Sequence, residues 1–136
     1  MTTEHPTASK ARASIPATLP ILRITAVLAV LSILWQAYSA SNVIVAGGAA
    51  LGPHEIGAVV AHVTTGLLAF GAALHSWTTR GPVWPAALSA VVFVATFVEA
   101  SLGHEVTLWA HVPLAMLITI GTTTVLVRSW ASSARR

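Results

Sequence analysis

The chain has no cysteine and no aspartate, and only 8% of its 136 residues are charged. Without cysteine there are no disulfides, no iron–sulfur clusters, no thiolate zinc sites and no covalently attached c-type haem. All four acids are glutamates: Glu4, Glu55, Glu99 and Glu105. A water-soluble domain normally carries charge on about a quarter of its residues. This chain therefore cannot cover a water-facing surface. What it has instead is apolar: 55% of the residues are hydrophobic and the mean hydropathy is +0.78. The length fits one domain. The net charge of +3 does not indicate a nucleic-acid partner, because seven basic residues gathered at span ends are what membrane topology requires.

Read in order, residues 1–18 are polar, with Pro6, Pro16, Lys10 and Arg12, and form a disordered cytoplasmic tail. A first span is expected over 20–47, with Pro20 in its first turn. It is longer than a signal-peptide core of about 7–15 residues. Gly47, Gly48, Gly52 and Pro53 are expected to break the helix. Further spans are expected over 54–78, 83–102 and 105–130, separated by Thr78-Thr79-Arg80-Gly81-Pro82 and by Gly103. Each is close to the roughly 20 residues that cross a bilayer core. Residues 131–136 form a basic tail. Short connections make successive spans antiparallel neighbours. The expected fold is an all-α membrane protein, an up-down-up-down four-helix transmembrane bundle, embedded in the lipid of a bacterial-type cell membrane.

The basic residues give the orientation. Lys10, Arg12 and Arg23 flank the start of span one, Arg80 lies between spans two and three, and Arg128, Arg135 and Arg136 end the chain. The other two connections have no Lys or Arg. Both termini are therefore expected in the cytoplasm, with the His54 and His104 connections facing outward. Trp77, Trp84 and Trp130 mark the inner interface and Trp109 the outer one.

Two histidines lie inside the apolar runs: His62 in span two and His111 in span four. An ionisable residue within a span is costly and points to function. The two halves of the chain echo one another: His54-Glu55-Ile56 leads to Ala61-His62, and His104-Glu105-Val106 leads to Ala110-His111. His62 is eight residues past His54 and His111 seven past His104, which puts both roughly 10–12 Å below the outer helix starts. Gly66 and Ala115 stand four residues on, on the same helix faces. Equal depth and small neighbours are what two axial ligands of one flat macrocycle need, and bundle cores are a usual seat for b-type haem. Two other readings stay open: an interhelical hydrogen-bonding pair without cofactor, and a transition-metal ion held by imidazole.

These residues resemble one four-helix half of the haem A synthase family. Val43-Ile44-Val45-Ala46-Gly47-Gly48 looks like the glycine-bearing end of that family's first span. His62 with Gly66, and His111 with Leu114-Ala115, look like its two ligand spans. The resemblance covers about residues 25–128 and extends to small four-span membrane b-type cytochromes. It implies a four-helix haem fold with His62 and His111 as ligands. The family's Glu-x-x-His motif is absent here, since Glu55 precedes His62 by seven residues, and so is its loop cysteine pair. Haem A synthesis is not carried over. The family joins two such halves, which a homodimer of this chain would restore.

The expected function is a haem b protein with iron held by His62 and His111. With both axial positions filled, electron transfer with a redox partner or quinone follows, and no enzyme activity of its own. Haem delivery or sensing, and a cofactor-free scaffold or accessory subunit, are the alternatives. On the outer rim, His54 and His104 are the expected donors to haem propionates, backed by Asn42 and Thr107. Glu55 and Glu105 suit helix starts. Glu99 is read as an interfacial residue reaching water, against a sharper reading as a proton relay or partner of the haem site. Gln36, Tyr38 and Asn42 are expected to hydrogen-bond across the bundle or line a pocket. His75 lies at the inner boundary.

Overall fold

The computed structural model describes residues 16–131. Of the tails expected at 1–18 and 131–136, residues 1–15 and 132–136 lie outside the described residues, while Thr18 already begins α1 and Ala131 ends α4. Four α-helices account for nearly all of the rest: α1 (Thr18–Ala46), α2 (Leu51–Thr79), α3 (Trp84–Ser101) and α4 (Leu108–Ala131). No strand occurs among the described residues.

The boundary between the first two helices differs from expectation. Gly47 and Gly48 do end α1, but Gly52 and Pro53 lie inside α2. Gly47–Ala50 forms a single 3₁₀ turn, entered through Gly47 at φ 65°. Pro53 sits in the first turn of α2, where its missing N–H would have had no helical acceptor in any case. The chain is therefore helical from Thr18 to Thr79. Three helical stretches, not four separate ones, are long and apolar enough to cross a membrane: Thr18–Thr79, Trp84–Ser101 and Leu108–Ala131.

The first stretch folds back on itself at the 3₁₀ turn. Thr18 hydrogen-bonds His75 (2.9 Å) and Thr78 (3.2 Å), Ser32 meets Thr64 (2.7 Å), and Ser39 meets His54 (2.9 Å). Partners in α2 retreat as those in α1 advance, so the two helices are antiparallel. α1 packs on α2 and α4, and α3 packs on the same two, which closes a ring of four.

Small residues set the helix spacing. The core holds Ala26, Ala29 and Ala72 beside Leu22, Leu68 and Val125. A Cβ on Gly71 would meet Thr25 Oγ1 at 2.9 Å, and one on Gly121 would meet Val92 Cγ2 at 2.7 Å. Close approach over small residues is how helices gain contact where the surroundings are as apolar as the interior. Buried hydroxyls return to their own helix: Thr25, Thr65 and Thr122 donate to the carbonyls of Ile21, Ala61 and Ile118. Meanwhile Ile24, Val59, Phe70 and Trp109 stand 59–79% exposed. Hydroxyls inside and large apolar groups outside invert the water-soluble pattern.

Charge is segregated along the bundle. Arg23, Arg80 and Arg128 lie at the end where α1 and α3 begin. Glu55 and Glu99 lie at the other end. Arg80 terminates α2 in the left-handed conformation (φ 49°), with Arg80 N donating to Trp77 O and Gly81 N to Ser76 O. That is a Schellman end with arginine where glycine is usual.

Candidate functional site

The site is built where the glutamate end meets the helix interiors. Four lone carbonyls end α3, and that of Glu99 accepts from Leu102 N at 3.1 Å. The chain then turns through Gly103 and a short 3₁₀ segment (Glu105–Thr107) before α4 starts. The turn brings His111 back against Glu99. His111 Nδ1 lies 3.1 Å from the Glu99 backbone oxygen and 3.2 Å from its carboxylate Oε1. The other carboxylate oxygen, Oε2, is buried with no hydrogen-bond partner. Glu99 thus does not reach out to water, as the sequence suggested. Its side chain is 15% exposed and turned into the protein. The physical reason is that position 99 falls on the α4-facing side of α3, where an imidazole is available to it.

His62 is held from below on its own helix. Its Nδ1 lies 2.5 Å from the carbonyl of Ala58, one turn earlier. Its ring stands edge-on to Phe97 of α3, with centroids 4.3 Å apart and planes at 87°. Phe97 in turn packs on Phe93 at 5.1 Å. Both histidines therefore pack against one turn of α3, beside Phe97 and Glu99, two residues and roughly 3 Å of helix rise apart. Each Nδ1 faces a backbone carbonyl, Ala58 O or Glu99 O, which can only accept, so Nδ1 is the donor in both contacts. The second nitrogen of each ring, Nε2, has no hydrogen-bond partner among the contacts described.

Gly66, expected as open space beside His62, is not open. A Cβ there would meet Phe93 Cε2 at 3.1 Å. Ala115 is half-buried, and its carbonyl accepts from Thr119 Oγ1 at 2.8 Å.

The two rim histidines part company. His54 lies within the first turns of α2, half-buried, on Ser39 Oγ. His104 is exposed, in extended conformation ahead of the 3₁₀ segment, and its carbonyl accepts from Thr107. The sequence echo treats them as equivalent. The structure does not, because α2 begins before His54 whereas no helix has begun at His104. Asn42 is exposed and donates to Tyr38 O in its own helix, so it does not back His54.

Gln36 is a participant whose partner the sequence did not name. It lies over Gly57, where a Cβ would come within 2.9 Å of Trp35 as well. With its amide turned to satisfy both groups, it donates to His54 O and accepts from Ala58 N, each at 3.0 Å. Gln36 thus braces the turn of α2 whose Ala58 carbonyl holds His62. The legible signal was a glycine, Gly57, one residue before that carbonyl. Among the described residues no group of three or more His or Glu side chains is gathered as a metal site.

The chain matches no family model, no curated protein and no solved structure.

Proposed function

We propose that the chain is a four-span membrane protein that binds haem b through His62 and His111. α1 and α2 are each 29 residues, roughly 43 Å long at 1.5 Å per residue. That exceeds a hydrocarbon core of about 30 Å, so each suffices for one crossing of the folded-back stretch.

One observation supports the ligand assignment above the others. Both imidazoles have Nδ1 tied to fixed oxygens, Ala58 O for His62 and Glu99 O for His111. A metal-ligating histidine is oriented in this manner, with its second nitrogen anchored and its tautomer set. The chemistry of the donor set fits: with each Nδ1 anchored on a carbonyl, Nε2 is the nitrogen each ring would offer to iron. A haem held by His62 and His111 would supply one-electron transfer. The chain's own part is to orient the two rings, His62 through Ala58 O and Phe97 and His111 through Glu99. The redox partner proposed is another membrane electron carrier, either a quinone or a protein.

A second reading has its own observation. Phe93 fills the space beside Gly66, as in a bundle whose histidines only hold helices together. The two separate by haem content. Protein expressed with haem supplied, then purified in detergent, is assayed by pyridine haemochrome. The proposal predicts about one haem per chain and none in the His62→Ala/His111→Ala double variant. Equal content in the two proteins, or none in either, rejects the assignment.

A further inference from the structure

At the arginine end of the bundle, away from the histidines, Arg23 occupies an unusual position. It lies in the second turn of α1, within a span, and a charge there must find partners. Its Nε and Nη2 both donate to Ser129 O, at 3.3 and 3.1 Å, in the last turn of α4. Its guanidinium lies 4.2 Å over the ring of Trp130. These contacts hold the head group at a fixed height on the outer surface of the bundle. Arg23 and Trp130 line an open apolar groove of about 360 Å³ on this surface, together with Pro20, Ile24, Val27 and Leu28.

A cation at the interface, continuous with an apolar channel along the helix, matches one chemistry. Arginine attracts a phosphate, and the groove accepts a hydrocarbon chain. A tryptophan ring sits where head groups meet acyl chains. Arg128, exposed in the same turn of α4, and Arg80 across the same end add positive charge without any acid among the described residues there. We infer that the Arg23–Trp130 groove between α1 and α4 is a binding site for one anionic phospholipid of the inner leaflet. The site involves none of the haem-binding residues and stands or falls separately from them.

The site can be read through Trp130. The full chain is reconstituted in phosphatidylcholine bilayers containing a minor fraction of acyl-brominated phosphatidylglycerol, and in the converse mixture with brominated phosphatidylcholine. The Trp130→Phe variant identifies the Trp130 share of the fluorescence. At equal mole fraction, the brominated anionic lipid should quench that share about fivefold more effectively, the Boltzmann factor for one basic residue at an anionic lipid. Arg23→Gln should remove the preference. Equal quenching by the two lipids in the unaltered protein overturns the site, as does an undiminished preference in Arg23→Gln. If that variant fails to assemble, Val27→Phe decides: it fills the groove and leaves the Arg23–Ser129 contacts alone. Lost preference supports the site, and unchanged preference overturns it.

Discussion

At the scale of single residues, the two histidines are not equivalent, and their energetics should differ even before any cofactor is considered. His111 is one partner of a pair whose other member, Glu99, already has one buried oxygen without a bond. Removing the imidazole leaves the second oxygen unpaired too. Leaving a buried polar group unsatisfied costs about 1–3 kcal/mol, and more for a charged one. His62→Ala loses a bond to a carbonyl and an edge-on ring contact worth about 0.5–1.5 kcal/mol. In cofactor-free protein, thermal unfolding in detergent should therefore rank His111→Ala below His62→Ala. Glu99→Gln in the His111→Ala background should recover part of the loss, since a neutral amide is cheaper to bury than a carboxylate. If the double variant is no more stable than His111→Ala alone, the Glu99–His111 pair does not carry the energy assigned to it.

At the scale of elements, most of what the bundle needs was written in the sequence, and what was not has identifiable causes. The apolar runs located α1 to α4 to within a few residues, because run length and punctuation by Gly, Pro and Arg are local signals. Pro53 was misread as a breaker because proline ends a helix interior and suits a helix start equally well. The repeat made His54 and His104 look alike, since a motif does not say whether a helix has already begun. The pairing of Glu99 with His111 depends on the path through Gly103 and the 3₁₀ segment, which spacing alone does not give. Gly57 was visible, but only the packing of α1 explains it. The glycines supply the test at this scale. Gly57→Ala should destabilise by about 1–3 kcal/mol, the usual cost of overpacking, because Trp35 and Gln36 occupy the space. Gly52→Ala meets nothing within 4 Å and should stabilise α2 by about 0.5–1 kcal/mol. Equal effects of the two would show that α1 does not bear on α2 as described.

At the scale of the whole molecule, every described arginine lies at one end of the bundle and the described glutamates at the other, and the proposed membrane reading would put the arginine end in the cytoplasm. The absence of cysteine makes this easy to check. Single cysteines at exposed Ala49 and Ser101 should react with an impermeant maleimide from outside intact cells. One at exposed Val83 should react only after permeabilisation. Labelling of Ala49 and Val83 from the same side would contradict two crossings by the Thr18–Thr79 stretch. The proposed orientation would put the Glu99–His111 end outward and the Arg23–Trp130 groove inward.

The central claim concerns what the two Nε2 atoms are for, and one measurement addresses it most directly. It is the absorption spectrum of detergent-purified protein, first oxidised and then reduced with dithionite, after expression with haem supplied. The account predicts a sharp Soret band and, on reduction, split visible bands of a six-coordinate low-spin b-type haem, both lost in His62→Ala and in His111→Ala. A featureless spectrum in the unaltered protein would contradict it, and would leave His62 and His111 as the residues that fasten α2 and α4 to α3.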